Sequence, residues 1–172
     1  MSQKNTAAQA KKPQYLIMLA IIAGTFVLWF FVKLFIGMGA NELNKRYEAV
    51  VDADIVIEVR DISENVSFYP ATISGTELEV LAVKATDGSL RTAFNTCQVC
   101  FRSGKGYYTQ KGTQLVCENC GNRFALSDIG IAHSGCNPIP ITPELKATDA
   151  TAITIPVETL TEAKALFANW KR

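Results

Sequence analysis

The sequence 96–141 reads TCQVCFRSGKGYYTQKGTQLVCENCGNRFALSDIGIAHSGCNPIPI and contains all five cysteines of the chain. Four of them form two Cys-x-x-Cys pairs, and the sixteen residues between the pairs are enough for a hairpin that leaves and returns. This spacing is typical of a metal site, because each tight loop supplies two thiolates to one centre. We therefore predict four metal ligands, which are Cys97, Cys100, Cys117 and Cys120.

The fifth cysteine and the only histidine follow in a third loop. Cys136 precedes Pro138 and Pro140, which stiffen its segment, whereas the two pairs close a site at little cost in chain entropy. Cys136 and His133 are each a candidate for an extra ligand or for a group beside the ligands. The alternatives are a buried apolar role for Cys136 and a solvent-facing position for His133. With the two pairs as ligands, Cys120→Ser strips the centre, and Cys136→Ser leaves the metal content nearly intact.

The cysteine spacing by itself leaves the chemistry of the centre open. A structural zinc ribbon uses four thiolates in a closed tetrahedral site. Disulfides are an alternative in an exported domain, but a Cys-x-x-Cys disulfide closes a loop too small to constrain the unfolded chain much. A thiol oxidoreductase is a further alternative, although no thioredoxin-like βαβ pattern surrounds either pair.

The composition limits the class of function. The chain has 172 residues and a net charge of +1, which suits one modest domain with appendages and gives no indication of nucleic-acid binding. The sequence contains no nucleophile elbow and no phosphate loop, and a single histidine limits acid–base chemistry. We interpret the protein as a carrier of a redox-active or structural metal rather than as a conventional enzyme.

The N-terminal region predicts a membrane anchor. After a polar leader at 1–12, the run from Leu16 to Val32 carries no charge. With its flanks it reaches roughly 20 residues, the length that crosses a bilayer core. We predict a transmembrane helix at 13–38. A cleaved signal peptide is the alternative, but its apolar region is shorter, about 7–15 residues, and precedes a small-residue cleavage site.

Charged residues on the two sides of this run predict its orientation. Lys4, Lys11 and Lys12 precede it, and the lysine and arginine that follow it lie among acidic residues. The positive-inside rule then places the leader in the cytoplasm. We predict a single-pass protein of the cytoplasmic membrane, with a juxtamembrane link at 39–51 and a periplasmic or extracellular metal-binding domain at 52–172.

The residues after the link predict a mainly β domain. Alternating apolar residues at 55–59 predict a strand, and Asp87-Gly88 between the runs 78–84 and 90–94 predicts a hairpin. A second hairpin is expected from Tyr107-Tyr108 and Leu115-Val116. The capping-box spacing of Thr159 and Glu162 predicts the start of a short closing helix. The expected fold is a small antiparallel β domain with zinc-ribbon-like or Rieske-like metal loops.

Several motifs in 95–141 match one family at once, namely FNTCQVC, GYY, LVCENC, Arg123-Phe124, Ile129-Gly130 and GCNPIPI. This stretch resembles the bacterial membrane iron–sulfur family called FtrD-like. The resemblance implies an anchored protein that carries an iron–sulfur cluster, and together with the anchor it leads us to expect a non-enzymatic carrier of single electrons. The cysteine spacing leaves Zn2+ as the alternative metal. It also implies an association with iron uptake through an iron permease and periplasmic metal-binding or redox partners.

The same stretch is similar, more faintly, to Rieske domains, which hold a two-iron cluster between two loops of a small β fold. In that resemblance Cys97 and Cys117 match the cysteine ligands, and Cys100 and Cys120 stand where histidines are expected. Thiolates in place of neutral imidazoles add negative charge, which lowers the reduction potential of a cluster.

Overall fold

The computed structural model describes residues 14–40, 47–131 and 135–172. The chain divides into two units, Met1–Lys45 and Arg46–Arg172. In the first unit a long helix, α1, runs over Gln14–Ala40. The second unit contains the strands and a short helix near the C-terminal end. The predicted leader at 1–12 and residues 41–46 of the predicted link lie outside the described residues.

Helix α1 is 27 residues long and begins and ends close to the predicted anchor at 13–38. Its side chains are described at 18–19 and 21–33, and the large apolar ones among them are exposed. Near its end, the Lys33 Nζ lies 5.6 Å from the centre of the Trp29 ring. Among the residues that the structure describes, no helix is both long enough and apolar enough to cross a membrane.

The second unit is mainly β, as predicted, and its described residues form eleven strands in three small sheets. The strands are β1 Val50–Val51, β2 Ile55–Glu58, β3 Ser67–Ile73, β4 Thr76–Lys84, β5 Leu90–Cys97, β6 Tyr108–Lys111, β7 Gln114–Cys117, β8 Arg123–Ala125, β9 Pro138–Pro140, β10 Ala147–Thr148 and β11 Ala152–Ile155.

The largest sheet has the strand order β1-β3-β4-β5-β9, and its pairs are antiparallel except for that of β1 with β3. Ser74 and Gly75 join β3 to β4 with φ angles of 47° and 77°. Two positive φ angles are what a tight two-residue hairpin requires. The Asp87-Gly88 turn joins β4 to β5, so the predicted hairpin is confirmed. This hairpin matters because β5 ends at Cys97.

The two smaller sheets differ in how far apart in the sequence their strands lie. One has the order β10-β11-β2 and pairs strands from opposite ends of the domain, with Ile55 opposite Ile155. The other has the order β6-β7-β8, with Tyr108 opposite Cys117. The predicted hairpin between Tyr107-Tyr108 and Leu115-Val116 is therefore confirmed, and it carries the chain from the first cysteine pair to the second.

Two groups of buried side chains make up the interior. The larger group packs the helical C-terminal segment against the five-stranded sheet and the β10-β11-β2 sheet. It includes Ile57, Val80, Phe94, Ile153 and Leu160. The smaller group surrounds the cysteines and consists of Leu81, Val83, Ala93, Cys97, Tyr108, Leu115, Cys117, Leu126 and Ile129. The cysteine site therefore has an apolar base of its own, made of strands β4, β5, β6 and β7.

The closing helix, α2, spans Val157–Ala163 and continues into a 3-10 turn at Lys164–Phe167. The predicted capping-box start is wrong, because Thr159 lies inside the helix and donates its hydroxyl to the Leu145 carbonyl at 3.1 Å. The helix starts two residues earlier, where the Asp54 carboxylate accepts the Val157 N–H at 2.9 Å. A side chain 103 positions away along the chain performs the capping, which a local sequence pattern does not reveal.

Candidate metal centre

Two of the five thiols stand at the ends of strands, and each is followed by a tight turn that carries its partner. Cys97 ends β5 and Cys117 ends β7. In the first turn the Phe101 N–H donates to the Cys97 carbonyl at 3.1 Å, and the Cys100 N–H donates to the Cys97 sulfur at 3.3 Å. In the second turn the Gly121 N–H donates to the Cys117 carbonyl at 2.8 Å. Backbone hydrogen bonds thus define both Cys-x-x-Cys loops.

Cys136 reaches the same place from a third direction, in the turn that precedes β9. Pro138 of β9 pairs with Cys97, and the Gln98 N–H donates to the Asn137 carbonyl at 3.1 Å. Asn137 is fully buried. The residue after Cys136 is therefore tied to the start of the first cysteine loop, and this contact holds the third loop beside the other two.

The five sulfurs converge. Four of them all lie within 4.8 Å of one another, and these belong to Cys97, Cys100, Cys117 and Cys136. The Cys136 Sγ is 3.1 Å from the Cys97 Sγ and 3.9 Å from the Cys100 Sγ. The Cys120 Sγ is 3.0 Å from the Cys136 Sγ. Cys120 is exposed, whereas Cys97 and Cys117 are buried.

The structure thus brings three of the predicted ligands, Cys97, Cys100 and Cys117, into one close group. Cys136 lies inside this group, and the Cys120 sulfur lies against the group, 3.0 Å from that of Cys136. These distances do not test the predicted choice of Cys120 over Cys136 as the fourth ligand, so that choice stays a prediction. His133 lies outside the described residues, and its predicted place beside the site stays a prediction as well.

The side chains that pack at the base of the site are mainly apolar, and the Tyr108 hydroxyl lies among them. Tyr108 is 1% exposed, and its hydroxyl lies 3.8 Å from the Cys136 Sγ. Burial, together with the neighbouring Cys97 thiol, raises the pKa of Tyr108 far above its ordinary value. The phenol therefore remains protonated and can donate a hydrogen bond toward sulfur, which stabilises negative charge on a thiolate.

The thiols differ in how readily they ionise. A hydrogen bond from Cys136 lowers the pKa of Cys120 to about 7, whereas burial raises the pKa of Cys117 to about 12. Burial opposes ionisation of Cys97, but hydrogen bonds from Tyr108 and Cys136 outweigh it and lower its pKa. Metal ligands must be deprotonated, so a thiophilic ion that binds here displaces protons, and its affinity rises with pH.

Two residues that sequence reasoning did not single out as part of the site support the cysteine loops. A Cβ at position 106 would overlap the Cys100 carbonyl, so only glycine fits there, and the Gly106 carbonyl accepts the Cys97 N–H at 2.7 Å. The buried Asn95 accepts the Tyr108 N–H at 2.8 Å through its side-chain oxygen. The sequence GKGYY suggests a loop glycine, but it does not show which atom lies against it.

Residues 46–167 match the sequence model of a protein family described as "Membrane iron-sulfur containing protein FtrD-like". The chain belongs to the FtrD-like family. No curated protein and no solved structure matches the chain significantly. The matched range begins at the first residue of the second unit and ends with the 3-10 turn after α2, so it covers all the strands and helices described in the FtrD-like β domain.

The residues at the FtrD-like site fit the chemistry that the family description implies. Iron–sulfur clusters are held by cysteine thiolates, usually four of them, and soft thiolates also select zinc. Five thiols converge here, and four lie mutually close. The Tyr108 hydroxyl and the Cys100 N–H approach these sulfurs as donors. The protein is therefore a member of a membrane iron–sulfur family with a four-cysteine site suited to a metal centre.

Proposed function

We propose that this protein is a membrane-anchored iron–sulfur protein that transfers single electrons and is not itself an enzyme. The observation that supports this most directly is the convergence of five thiols from three loops. The membership in a family described as containing iron and sulfur points to the same function. An iron–sulfur cluster, when bound, supplies one-electron redox chemistry.

The residues of this chain then have distinct tasks. The cysteine thiolates hold the centre, and the buried side chains of Leu81, Leu115 and Ile129 exclude water from its base. The Tyr108 hydroxyl and the Cys100 N–H stabilise charge on sulfur. Burial and hydrogen bonds to sulfur are the features by which a protein sets the potential of such a centre.

Purification of the full chain in detergent under anaerobic conditions tests this function. We expect a brown protein with stoichiometric iron and acid-labile sulfide, and a reversible one-electron wave in voltammetry. The same preparation of Cys97→Ser is the control, and it should be colourless. A colourless wild-type protein with one zinc per chain and no labile sulfide would refute the proposal.

We also propose, from the sequence at 13–38, that the N-terminal region anchors the protein in the cytoplasmic membrane, with the N-terminus inside and the β domain in the periplasm or outside the cell. The uncharged run from Leu16 to Val32, the exposed apolar side chains of α1 and the family description support this arrangement. A C-terminal alkaline phosphatase fusion should be active and a C-terminal green fluorescent protein fusion dark. The opposite pattern would invert the proposed topology.

The proposed physiological context is iron uptake with an iron permease and periplasmic metal-binding or redox partners. Its support is the resemblance of the motifs in 95–141 to the FtrD-like family. Deletion of the gene should lower radioactive-iron uptake by iron-starved cells. The wild-type chain should restore it, and Cys97→Ser should not, although it reaches the membrane in equal amount. Full restoration by Cys97→Ser would separate uptake from the metal centre.

One geometric observation favours a second candidate, a zinc-stapled interaction module that docks on a membrane permease or a periplasmic metal chaperone. Four sulfurs bound to one tetrahedral ion at about 2.3 Å lie about 3.8 Å apart. The four close sulfurs here all lie within 4.8 Å of one another, which is near that spacing. Metal analysis of the native protein distinguishes the two candidates, because only the zinc module gives one zinc, no sulfide and no redox wave.

A further inference from the structure

The site contains one more thiol than a four-coordinate centre needs. A tetrathiolate metal ion or a four-cysteine cluster leaves one of the five cysteines without a metal bond. The structure distinguishes two candidates for this role by position, since Cys136 belongs to the mutually close group of four and Cys120 does not. Cysteine spacing alone selects Cys120 as a ligand, so geometry and spacing point to different fourth ligands.

Several contacts favour Cys136 as part of the cage. Its sulfur lies 3.1 Å from that of Cys97 and 3.9 Å from that of Cys100, and the second distance is close to the spacing of about 3.8 Å between sulfurs that share a tetrahedral ion. The strand pairing of Pro138 with Cys97 and the hydrogen bond from Gln98 to Asn137 hold its turn in place. The Cys136 sulfur is thereby held among those of Cys97, Cys100 and Cys117, all within 4.8 Å of one another.

Cys120 has the complementary properties. It lies in the exposed run Glu118–Arg123, while its sulfur is 3.0 Å from the Cys136 Sγ. Solvent therefore reaches Cys120, and the Cys120 sulfur lies directly against the cage. Cys117, by contrast, is 0% exposed, so an ion arriving from solvent meets Cys120 before it meets the deepest ligands.

The geometry points to a division of labour among the five thiols. Cys97, Cys100, Cys117 and Cys136 hold the metal, and Cys120 is a loading thiol that captures a thiophilic ion from solvent and passes it to Cys136. This inference deepens the proposed metal-binding function and rests on it. In the transfer, the bond from the ion to the Cys120 sulfur breaks and a bond to the Cys136 sulfur forms. Cys136 loses its proton and Cys120 gains one, so charge and protons balance without an oxidant or a reductant.

The two roles predict different defects, which makes them separable. Loss of a ligand lowers affinity at equilibrium, whereas loss of a loading thiol slows uptake and leaves the final complex unchanged. Capture by Cys120 converts the later steps into intramolecular ones at high effective concentration. Removal of Cys120 therefore removes a kinetic advantage and no bond of the final cage.

The test measures cobalt(II) binding to the reduced, metal-free full chain in detergent. Cobalt reports thiolate ligands by its charge-transfer absorption, and the readout does not depend on whether the native centre is iron–sulfur or zinc. We compare Cys120→Ser with Cys136→Ser, which are matched controls because each removes one sulfur from the same cluster. A failed redox experiment would thus leave this test unaffected.

Cys136→Ser should weaken cobalt binding by more than about 100-fold, beyond the usual effect of a residue that only supports ligands. Cys120→Ser should keep the four-thiolate spectrum and the affinity, and should load at least about 10-fold more slowly in stopped flow. Retained affinity in Cys136→Ser, equal loss in both variants, or wild-type loading by Cys120→Ser would each overturn the inference.

A second measurement on the unmutated protein does not depend on whether a variant folds. Iodoacetamide is added to the cobalt-loaded wild-type chain, and the alkylated cysteine is located by peptide mass spectrometry. We expect one modified residue, Cys120, with the other four protected until the protein is denatured. Alkylation at Cys136 with protection of Cys120 would show that the sequence-based ligand set was right and that the loading role is wrong.

Discussion

At the scale of single residues, the site depends on how closely backbone and sulfur atoms approach one another. Gly106 faces the Cys100 carbonyl with no room for a side chain, and its own carbonyl accepts the Cys97 N–H at 2.7 Å. One glycine thus fixes the distance between the first cysteine loop and the strand that follows it. The spacing of the cysteines determines which thiols can pair, but such contacts determine where the sulfurs lie.

We expect Gly106→Ala to destabilise the domain by about 1–3 kcal/mol, the usual cost of forcing extra atoms into a packed site. The added methyl must push the Cys100 carbonyl away, which moves that thiol from its position and weakens metal binding. Urea unfolding and metal content measure both effects. Gly24→Ala is the control, because nothing lies within 4 Å of its Cβ position. Unchanged stability and metal content in Gly106→Ala would show that the loop adjusts freely.

A second residue-scale prediction concerns pH. The Asp149 carboxylate accepts hydrogen bonds from the Thr151 N–H and hydroxyl, both at 2.7 Å, and from the Ala152 N–H at 2.9 Å. These bonds, the Thr151 N–H first, lower the pKa of Asp149 in the folded state. A lowered folded-state pKa contributes stability above the unfolded value of about 3.9 that is lost as pH falls through the folded value.

Asp149→Ala should therefore melt at a lower temperature than wild type near pH 7, since the carboxylate is then ionised and bonded. The gap should close as the pH falls through the lowered folded-state pKa of Asp149, below which the carboxyl is protonated in both states. Thermal unfolding across that range, followed by circular dichroism, measures the gap. A difference that does not change with pH would mean that the turn, and not the charge, carries the effect.

At the scale of elements, sequence patterns predict some features well and others not at all. Asp87-Gly88 and the alternating strands on both sides are local signals, and the hairpin β4-β5 follows from them. The start of α2 was not predictable in this way, because its cap comes from Asp54, far away in the sequence. The same limit applies to the thiols, since two pairs are visible from spacing while the position of Cys136 depends on strand β9.

The cap of α2 gives an element-scale prediction. Asp54→Ala removes the acceptor of the Val157 N–H and should cost about 0.5–2 kcal/mol, the usual effect of losing an N-cap side chain. The free energy of unfolding in urea measures this loss. Glu64→Ala, another exposed acidic residue that is distant in sequence from the helix, should change it by less than about 0.5 kcal/mol. Equal effects from both variants would show that the Asp54 cap does not specifically stabilise α2.

At the scale of the whole molecule, the β domain combines three small sheets with one metal site. Domains of this size bury a limited fraction of their surface and gain substantially from a metal that binds only the folded state. The cysteines also belong to the second buried group, so the metal site and part of the core are the same structure. Loss of the metal therefore affects packing as well as chemistry.

Removal of the metal should destabilise the domain most strongly around the thiols. Treatment of the purified protein with a strong chelator should lower the thermal midpoint and increase amide exchange in β5, β7 and β9, which surround the thiols. Strands β2 and β11 should be affected less, because their isoleucines pack in the larger buried group. Hydrogen-exchange mass spectrometry resolves these regions, and an equal change everywhere would contradict a local staple.

The strand pairings also bear on the order in which the chain folds. Ile55 pairs with Ile155, a hundred positions further on, whereas Cys97 pairs with Pro138, forty-one positions further on. Closing a loop costs more entropy as it lengthens, and distant contacts form late. We expect the thiols to meet before the β10-β11-β2 sheet has formed. During biogenesis the ion would then bind to an assembled group of thiols in a domain that has not finished folding. The supply of metal during biogenesis would then determine which chains complete their folding.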